Sequence, residues 1–333
     1  MATGIKAARK IQMGLESTQG TAVDPTTTWR GTGTIQDNRE QVFPTEDIGI
    51  LTGTDRSYFT RYEAQLSLDA TEATYQQLPY LFEMGIKHAA ASTDANGAAF
   101  VYDMPCATSD MTESTDLYTY TFVGGDNINV EGFAFGFAKS INLSGEAGGA
   151  LMMSAEIIGR QVTTDEWGAS VTIPTVEEIL FSKGKFYIDA VAAMPIAVPT
   201  QVSNTLIGAD VSINTGWQEV YTADGSLYFS FIKPTTPEVT LTVTMEYNAS
   251  AVAEIAAWRA GTARVITLKF EGTTAATSYL TIQIAGKWDN FEKIGERDGN
   301  DIVVGTFRGR YNSTTGKMCY ITVHNDDADG VLP

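Results

Sequence analysis

The chain has 333 residues, with 22 Lys or Arg against 40 Asp or Glu, so its net charge is −18 at neutral pH. Tight binding to a phosphate backbone needs clustered Lys and Arg, so this charge argues against a nucleic-acid clamp. At roughly 150 residues per domain the length predicts about two domains, or one large β domain. A hydrophobic content of 43% supports packed cores rather than a disordered acidic chain.

The sequence contains no segment that indicates a leader, a membrane span or a metal site. The N-terminal charges lead into no apolar stretch, which argues against a secretory signal and predicts folding in a cytoplasm. The most apolar segment, 190–198, is short and contains Pro195. Cys106 and Cys319 lack the C-x-x-C spacing, so we expect two free, buried thiols.

Short stretches that alternate apolar and polar residues recur along the chain and are rich in Thr, Val, Ile, Tyr and Phe. A period of two places every second side chain on the core face of an antiparallel strand. The sequence therefore predicts a mainly β architecture. The clearest strands are 66–68, 239–245, 265–270 and 279–284, with a further strand at 185–188.

Two segments have helical spacing and end at glycines. Residues 71–85 form the first, which Pro79 should kink or split. Residues 249–260 form the second, with Asn248 as its N-cap and Gly261 at its end. The apolar faces are expected to contain Tyr75, Leu78, Leu81 and Phe82 in the first helix and Val252, Ile255, Ala256 and Trp258 in the second.

Asp-Gly pairs predict two hairpins, because these residues supply the positive φ angles of tight turns. Asp224-Gly225 separates the predicted strands 219–221 and 227–229, and Asp298-Gly299 precedes the strand that starts near Ile302.

The two halves of the chain share four local matches in the same order, which we interpret as a tandem duplication. The matches are 29–43 with 206–221, 63–68 with 238–243, the helices ending at Gly85 and Gly261, and 146–153 with 297–304, the last running on to Gly159-Arg160 and Gly309-Arg310. The predicted organisation is an N-terminal arm 1–28, a first domain 29–165 with a long loop 44–61, a connector 166–204, a second domain 205–325 and an acidic tail 326–333.

Catalytic and metal chemistry have little to build on. His88 and His324 stand among ordinary loop and strand residues, so we expect solvated or core histidines. The run 325–330 matches the opening of an EF-hand loop but lacks its twelfth-position Glu. We therefore predict no catalytic, cofactor or metal site.

Two alternative functions remain open. The alternation Phe133, Phe135, Phe137 fits a sugar-stacking platform of a carbohydrate-binding or adhesive β-sandwich, although three such rings more often fill a core. A glycosidase dyad is the third option, since carboxylates are numerous but no pair is favoured.

Three motifs are similar to those of the tail tube (major tail) proteins of long, flexible-tailed bacteriophages. They are IQMGLESTQGTAV at 11–23, WRGTGT at 29–34 and GTDRSY at 53–58. The resemblance implies small β-sandwich or barrel-like domains, each with one flanking α-helix, whose sheets join into a continuous inner β-barrel ring. Such rings stack into a tube whose lumen holds the tape measure protein and then DNA, with tail tip and tail terminator proteins at its ends. An active site and cofactors are not expected.

The duplication adds a prediction about stoichiometry and stacking. Two domains per chain would let a trimer supply the six domains of a ring, with a hexamer as the alternative. In the family the loop matching 44–61 reaches the adjacent ring, and its apolar residues fit such a contact, unless the loop folds over its own sheet. The inter-ring contact candidates are Glu46, Asp47, Ile48, Ile50, Leu51, Asp55, Arg56 and Tyr58. The arm 5–28 is a second candidate contact.

Overall fold

Antiparallel strands make up most of the chain in the computed structural model, which describes residues 3–89, 92–94, 97–104, 117–274 and 276–326. This confirms the mainly β prediction. The first-half elements are β1 (Lys10–Leu15), β2 (Thr27–Thr28), β3 (Gly33–Val42), β4 (Tyr58–Glu72), α1 (Leu78–Gly85), β5 (Ser92–Asp94), β6 (Gly97–Asp103), β7 (Tyr120–Gly125), β8 (Val130–Glu146), β9 (Met152–Gly159) and β10 (Thr163–Thr164). The remaining elements are β11 (Gly184–Ala190), β12 (Leu206–Asn214), β13 (Trp217–Val220), β14 (Phe231–Pro234), β15 (Glu238–Glu246), α2 (Ala249–Arg259), β16 (Arg264–Glu271), β17 (Tyr279–Phe291), β18 (Gly295–Arg297), β19 (Asn300–Gly309) and β20 (Cys319–Asn325).

One curved layer of strands runs through both halves of the chain in the order β3, β4, β9, β8, β12, β15, β19, β17. Alternation sets its two faces. In β15, for example, Val239, Leu241 and Val243 are buried whereas Thr240 and Thr242 are not. The apolar face of this layer packs into the core, and the polar face is left outside it.

A second layer covers the apolar face and closes the core. In the first half β1 pairs with β7, and β7 pairs with the beginning of β8. In the second half β11 pairs with β16, which pairs with the beginning of β17, and β20 and β6 follow. Because β8 and β17 take part in both layers, the two layers belong to one large antiparallel sheet.

The helix α2 confirms its predicted boundaries but only part of its predicted face, since Ile255 and Trp258 pack against the core whereas Val252 and Ala256 are exposed. The Asn248 Oδ1 accepts hydrogen bonds from the backbone N–H groups of Ser250 and Ala251, and Gly261 ends the helix with φ of 63°. Val252 is 46% exposed, and the buried side is formed by Ala251, Glu254 and Ala257. The reason lies in Glu254, whose carboxylate accepts a 2.8 Å hydrogen bond from Trp288 Nε1 and pairs with Arg264.

The helix α1 is shorter than predicted. Residues 71–72 complete β4, and the helix begins only at Leu78. Pro79 stands in its first turn, where a backbone N–H has no helical partner, so it starts the helix instead of kinking it. The predicted apolar residues are buried: Tyr75, Leu78, Leu81 and Phe82.

Only one of the two predicted hairpins is tight. Arg297 pairs with Asn300 around Asp298 and Gly299, whose φ angles are 52° and 81°. At the other site Val220 pairs with Phe231, so Asp224-Gly225 lies within a broad loop, 221–230, that includes the predicted strand 227–229.

The arm and the connector contain structure of their own. Within the arm, Lys10–Leu15 forms β1, where Ile11 and Met13 are buried in the core. Within the connector, β11 confirms the strand predicted at 185–188. The Cys319 thiol is free and buried as expected. Cys106, the EF-hand-like residues from 327 onward and most of the acidic tail fall outside the described residues.

Neither α-helix among the described residues has the length and apolarity needed to cross a membrane.

Glu83 of α1 is a buried carboxyl, 2% exposed. Burial raises its pKa to about 8, although the backbone N–H of Ala89 donates to the carboxylate. His88 Nδ1 lies 3.6 Å from Glu83 Oε1, and burial lowers the pKa of that histidine. The helix is therefore most stable with both groups uncharged.

We expect Glu83→Gln to change how stability depends on pH. The folded Glu83 stays protonated to about pH 8 while the unfolded carboxyl ionises near 4.5, so the wild type loses stability as pH rises through this range, by at most about 1.4 kcal/mol per unit. Urea unfolding between pH 6 and 8.5 should show the variant gaining on the wild type with rising pH. The exposed Glu166→Gln is the matched control, and parallel curves for Glu83→Gln would contradict the assignment.

Candidate assembly surfaces

The hairpin of β3 and β4 extends beyond the body of the sheet. The last β4 residue paired with β9 is Ala64, opposite Gly159, and β4 begins six residues earlier at Tyr58. At about 3.3 Å per residue this extension measures roughly 20 Å. The loop 43–57 stands at its tip, at the end of the sheet opposite the β8–β9 turn.

The tip exposes apolar side chains. Ile48 and Ile50 are 56% and 59% exposed and Leu51 is fully exposed, so the predicted trio lies open rather than folded over its own sheet. Phe43 and Tyr58, at the two ends of the loop, are also exposed. A cluster of this kind on a projecting loop is typical of an interaction surface.

Two of the predicted contact residues hold the loop in shape. Glu46 accepts a 2.5 Å hydrogen bond from Arg56 Nη1 and a 3.0 Å bond from Thr54 Oγ1, which closes the neck of the loop. Asp47 and Asp55 are exposed and form no ion pair within the described part of the chain.

The base of the hairpin is hydrogen-bonded to the second half of the chain. Arg61 Nε donates a 2.6 Å hydrogen bond to Tyr221 Oη, and Tyr62 N donates a 2.9 Å bond to Leu227 O. These contacts join the 221–230 loop to β4. Of the six β4 residues that extend beyond β9, only residues 58–60 lie beyond these contacts. The freely projecting part of the hairpin therefore consists of these residues, the opposite end of β3 and the loop 43–57.

Arg160 fixes that loop, a role that the sequence did not predict. Its guanidinium donates to the carbonyls of Phe229 and Ser230, and to Gly20 of the arm. These partners are 69, 70 and 140 residues away, so no local pattern reveals them. The only sequence signal was the recurrence of Gly-Arg in both halves.

The three aromatic residues of β8 are buried and offer no sugar platform. Phe133 packs on Phe122 in the main core. Phe135 has φ of 62°, which breaks the strand alternation, and together with Phe137 it packs on Phe229 of the 221–230 loop. The preference for core over platform is confirmed, with two cores instead of one.

The polar face of the long layer is rich in hydroxyl, amide and carboxylate groups. Asn38 Nδ2 donates to Gln65 Oε1, and Gln65 Nε2 donates to Glu156 Oε1, in a row across three strands. The residues of this face that are not buried include Glu63, Gln65, Ser67, Ser140, Asn142, Ser144, Glu146, Ser154, Glu156, Asp210, Ser212, Asn214, Glu238, Thr240, Thr242, Thr244 and Glu246. The face is therefore hydrophilic and acidic.

Both ends of the long layer are open edges. Among the described residues, β3 forms a ladder only with β4. At the other end of the layer, the described backbone hydrogen bonds of residues 290–296 go only to β19, so the opposite side of this segment is unpaired. Unpaired strand edges of this length readily pair with another chain.

The titratable groups do not assemble into a reaction centre. His324 is buried, stacks on Tyr279 and shares a hydrogen bond with Thr277 O, which confirms a core histidine. In the part of the chain that the structure describes, no group of three His, Cys, Asp or Glu residues could hold a metal ion.

The sequence matches a known protein family. The model of the phage tail tube protein family matches residues 7–310, which is most of the chain. No curated protein matches the sequence. The chain belongs to the phage tail tube protein family, whose members are non-enzymatic structural components of the virion tail that polymerise into the tube.

Proposed function

We propose that three copies of this chain close into a ring of six tube domains, and that stacked rings form the tail tube of a long, flexible-tailed phage. The observation that carries the proposal is the edge-to-edge pairing of β12 with β8, which joins the two halves within one chain. The same kind of junction between copies would use the two open edges of the layer and close the ring.

The strand order in the two halves supports a tandem duplication. The first half has β3, β4, β9, β8, β7 and β1 side by side, and the second has β12, β15, β19, β17, β16 and β11. A helix follows the second strand of each series, α1 after β4 and α2 after β15. Each half is thus one domain of the same plan.

Strand register supports it at the level of single residues. β8 bulges between Ala138 and Ser140 against β9, and β17 bulges between Trp288 and Asn290 against β19, an offset of 150 residues. Met152 then corresponds to Ile302, so the match of 146–153 with 297–304 is one residue out of register. Side chains alternate along a strand, and a shift of one residue exchanges the two faces.

The acidic polar face is the wall of the lumen in this proposal. Carboxylates and hydroxyls hydrate well, and negative charge repels the phosphate backbone, so DNA and the tape measure protein would pass without adhering. This gives the charge of −18 a function that solubility alone would not require. The tail tip and tail terminator proteins would bind the two ends of the tube.

The tip of the β3–β4 hairpin is the ring-stacking contact in this proposal. It projects from one end of the sheet and exposes Ile48, Ile50 and Leu51, which a neighbouring ring would cover. The corresponding 221–230 loop of the second half is held down by Arg160, so one projecting tip per chain faces the next ring.

The mass of an isolated ring tests the stoichiometry. Native mass spectrometry should give three times the 35.9 kDa subunit mass. Six copies would indicate that each chain contributes a single domain to the ring, and persistent monomers at high concentration would contradict assembly altogether.

Deleting residues 46–56 should leave folded subunits that form rings but do not stack, because the apolar tip is lost while both sheet edges remain. Electron microscopy of negatively stained samples would show single rings instead of tubes. Ile173 and Val198 lie exposed in the connector, and replacing both with Ser is the control for the loss of exposed apolar surface. Normal tubes from the deletion variant would refute the loop assignment.

A further inference from the structure

We infer the register of the contact between subunits, on the basis of the ring proposed above. The outer edge of β3 in one copy pairs antiparallel with residues 290–296 of the next copy. Asn38 lies opposite Asn290 and Gln36 lies opposite Glu292. Thr34 lies opposite Gly295, because the strand of the next copy contains one extra residue after Glu292. The partner at each open edge is therefore a second copy of this chain.

The junction within the chain supplies the template. There, β12 pairs with β8 from Gly208 opposite Glu146 to Asn214 opposite Ser140, and Ala209 lies opposite Gly145. If each strand at this junction has a counterpart at an open edge, the register between copies follows directly.

Ladders identify the counterpart of β12. Gly33 pairs with Leu68, which pairs with Ala155, and Ala209 pairs with Val243, which pairs with Gly305. Since Ala155 and Gly305 are related by the offset of 150, Gly33 occupies the place of Ala209. At the other edge, Asn290 pairs with Thr306 and Glu292 N donates to Val304 O, so these two residues occupy the places of Ser140 and Asn142. Gly295 pairs with Ile302 whereas Ser144 pairs with Met152, so the outer strand contains one extra residue after Glu292 and Gly295 occupies the place of Ser144.

The residues at the two junctions agree with this register. Ser212 opposite Asn142 becomes Gln36 opposite Glu292. Asn214 opposite Ser140 becomes Asn38 opposite Asn290, so the polar end of the junction stays polar.

One apolar contact is exchanged for opposite charges. Ile213 lies opposite Ile141 and diagonal to Leu143, and both leucine and isoleucine are buried. In the inferred junction Asp37 takes the place of Ile213, and Lys293 shares the place of Leu143 with Ile294, since two residues separate Glu292 from Gly295 where β19 has only Val303 between their partners. Diagonal neighbours on one face of antiparallel strands lie about 7–8 Å apart, within reach of a long lysine side chain. Asp37 and Lys293 are both exposed in the single chain.

A cysteine pair tests the register directly. In a Cys106→Ser background, Gln36→Cys with Glu292→Cys should give covalent trimers when assembled rings are oxidised and run on a non-reducing gel. Cys319 should not interfere, because burial raises the pKa of its thiol to about 12. The matched control is Ser212→Cys with Asn142→Cys, the equivalent pair within one chain, which should close inside the monomer.

The possible outcomes distinguish a wrong register from a failure of ring formation. If the wild type forms three-copy rings and the control pair closes but the Gln36/Glu292 pair does not, the inferred register is wrong. Preferential cross-linking of Gln36→Cys with Asn290→Cys would overturn it in favour of a two-residue slip. If the wild type forms no rings, the proposed function fails first.

Charge exchange gives a second test that does not depend on disulfide geometry. Asp37→Lys and Lys293→Asp should each lower the fraction of subunits in rings, about five- to tenfold at low salt, because each places like charges side by side. The double exchange should restore ring formation toward the wild-type level. Rings that form equally well in both single variants, or no recovery in the double variant, would contradict the inferred contact.

Discussion

The antiparallel pairing of β12 with β8 is the interaction on which the rest of the structure depends. It lets the sheet of one half continue into the sheet of the other, so backbone groups that would be exposed at two edges are satisfied inside the chain. The outermost strands of the layer still carry unpaired backbone groups, because a sheet that does not close on itself ends in two open edges. A protein that polymerises can retain such edges, and in the proposed ring its own copies would cover them.

The two halves also touch each other away from this junction. Arg160 holds the 221–230 loop to the end of β9 and to the arm, and Trp217 Nε1 donates a 3.1 Å hydrogen bond to Gly85 O at the end of α1. Phe135, Phe137 and Phe229 form a small core beside these contacts. The proposed ring would use these contacts to hold the two halves together.

The connection that follows the first strand differs between the two halves in where its apolar residues lie. The second-half connection carries Trp217, Phe229 and Ile232, which bury against the first half. The first-half connection carries its apolar residues at a projecting tip that has nothing to cover it within the described chain. In the proposed tube, the first class of contact maintains the ring and the second joins rings.

The sequence by itself determined the mainly β class, the Asn248 cap and the tight turn at Asp298-Gly299, because each depends on residues close together in the chain. The exposed loop is shorter than predicted, 43–57 instead of 44–61, because β4 begins at Tyr58. Its four internal matches, and the motifs near the N-terminus, were enough to predict the family. The tertiary structure decided which face of α2 is buried, since Glu254 turns inward only because Trp288 and Arg264 receive it. It also decided the register between the halves and the role of Arg160, because hydrogen bonds between strands or loops more than 60 residues apart leave no local pattern in the sequence.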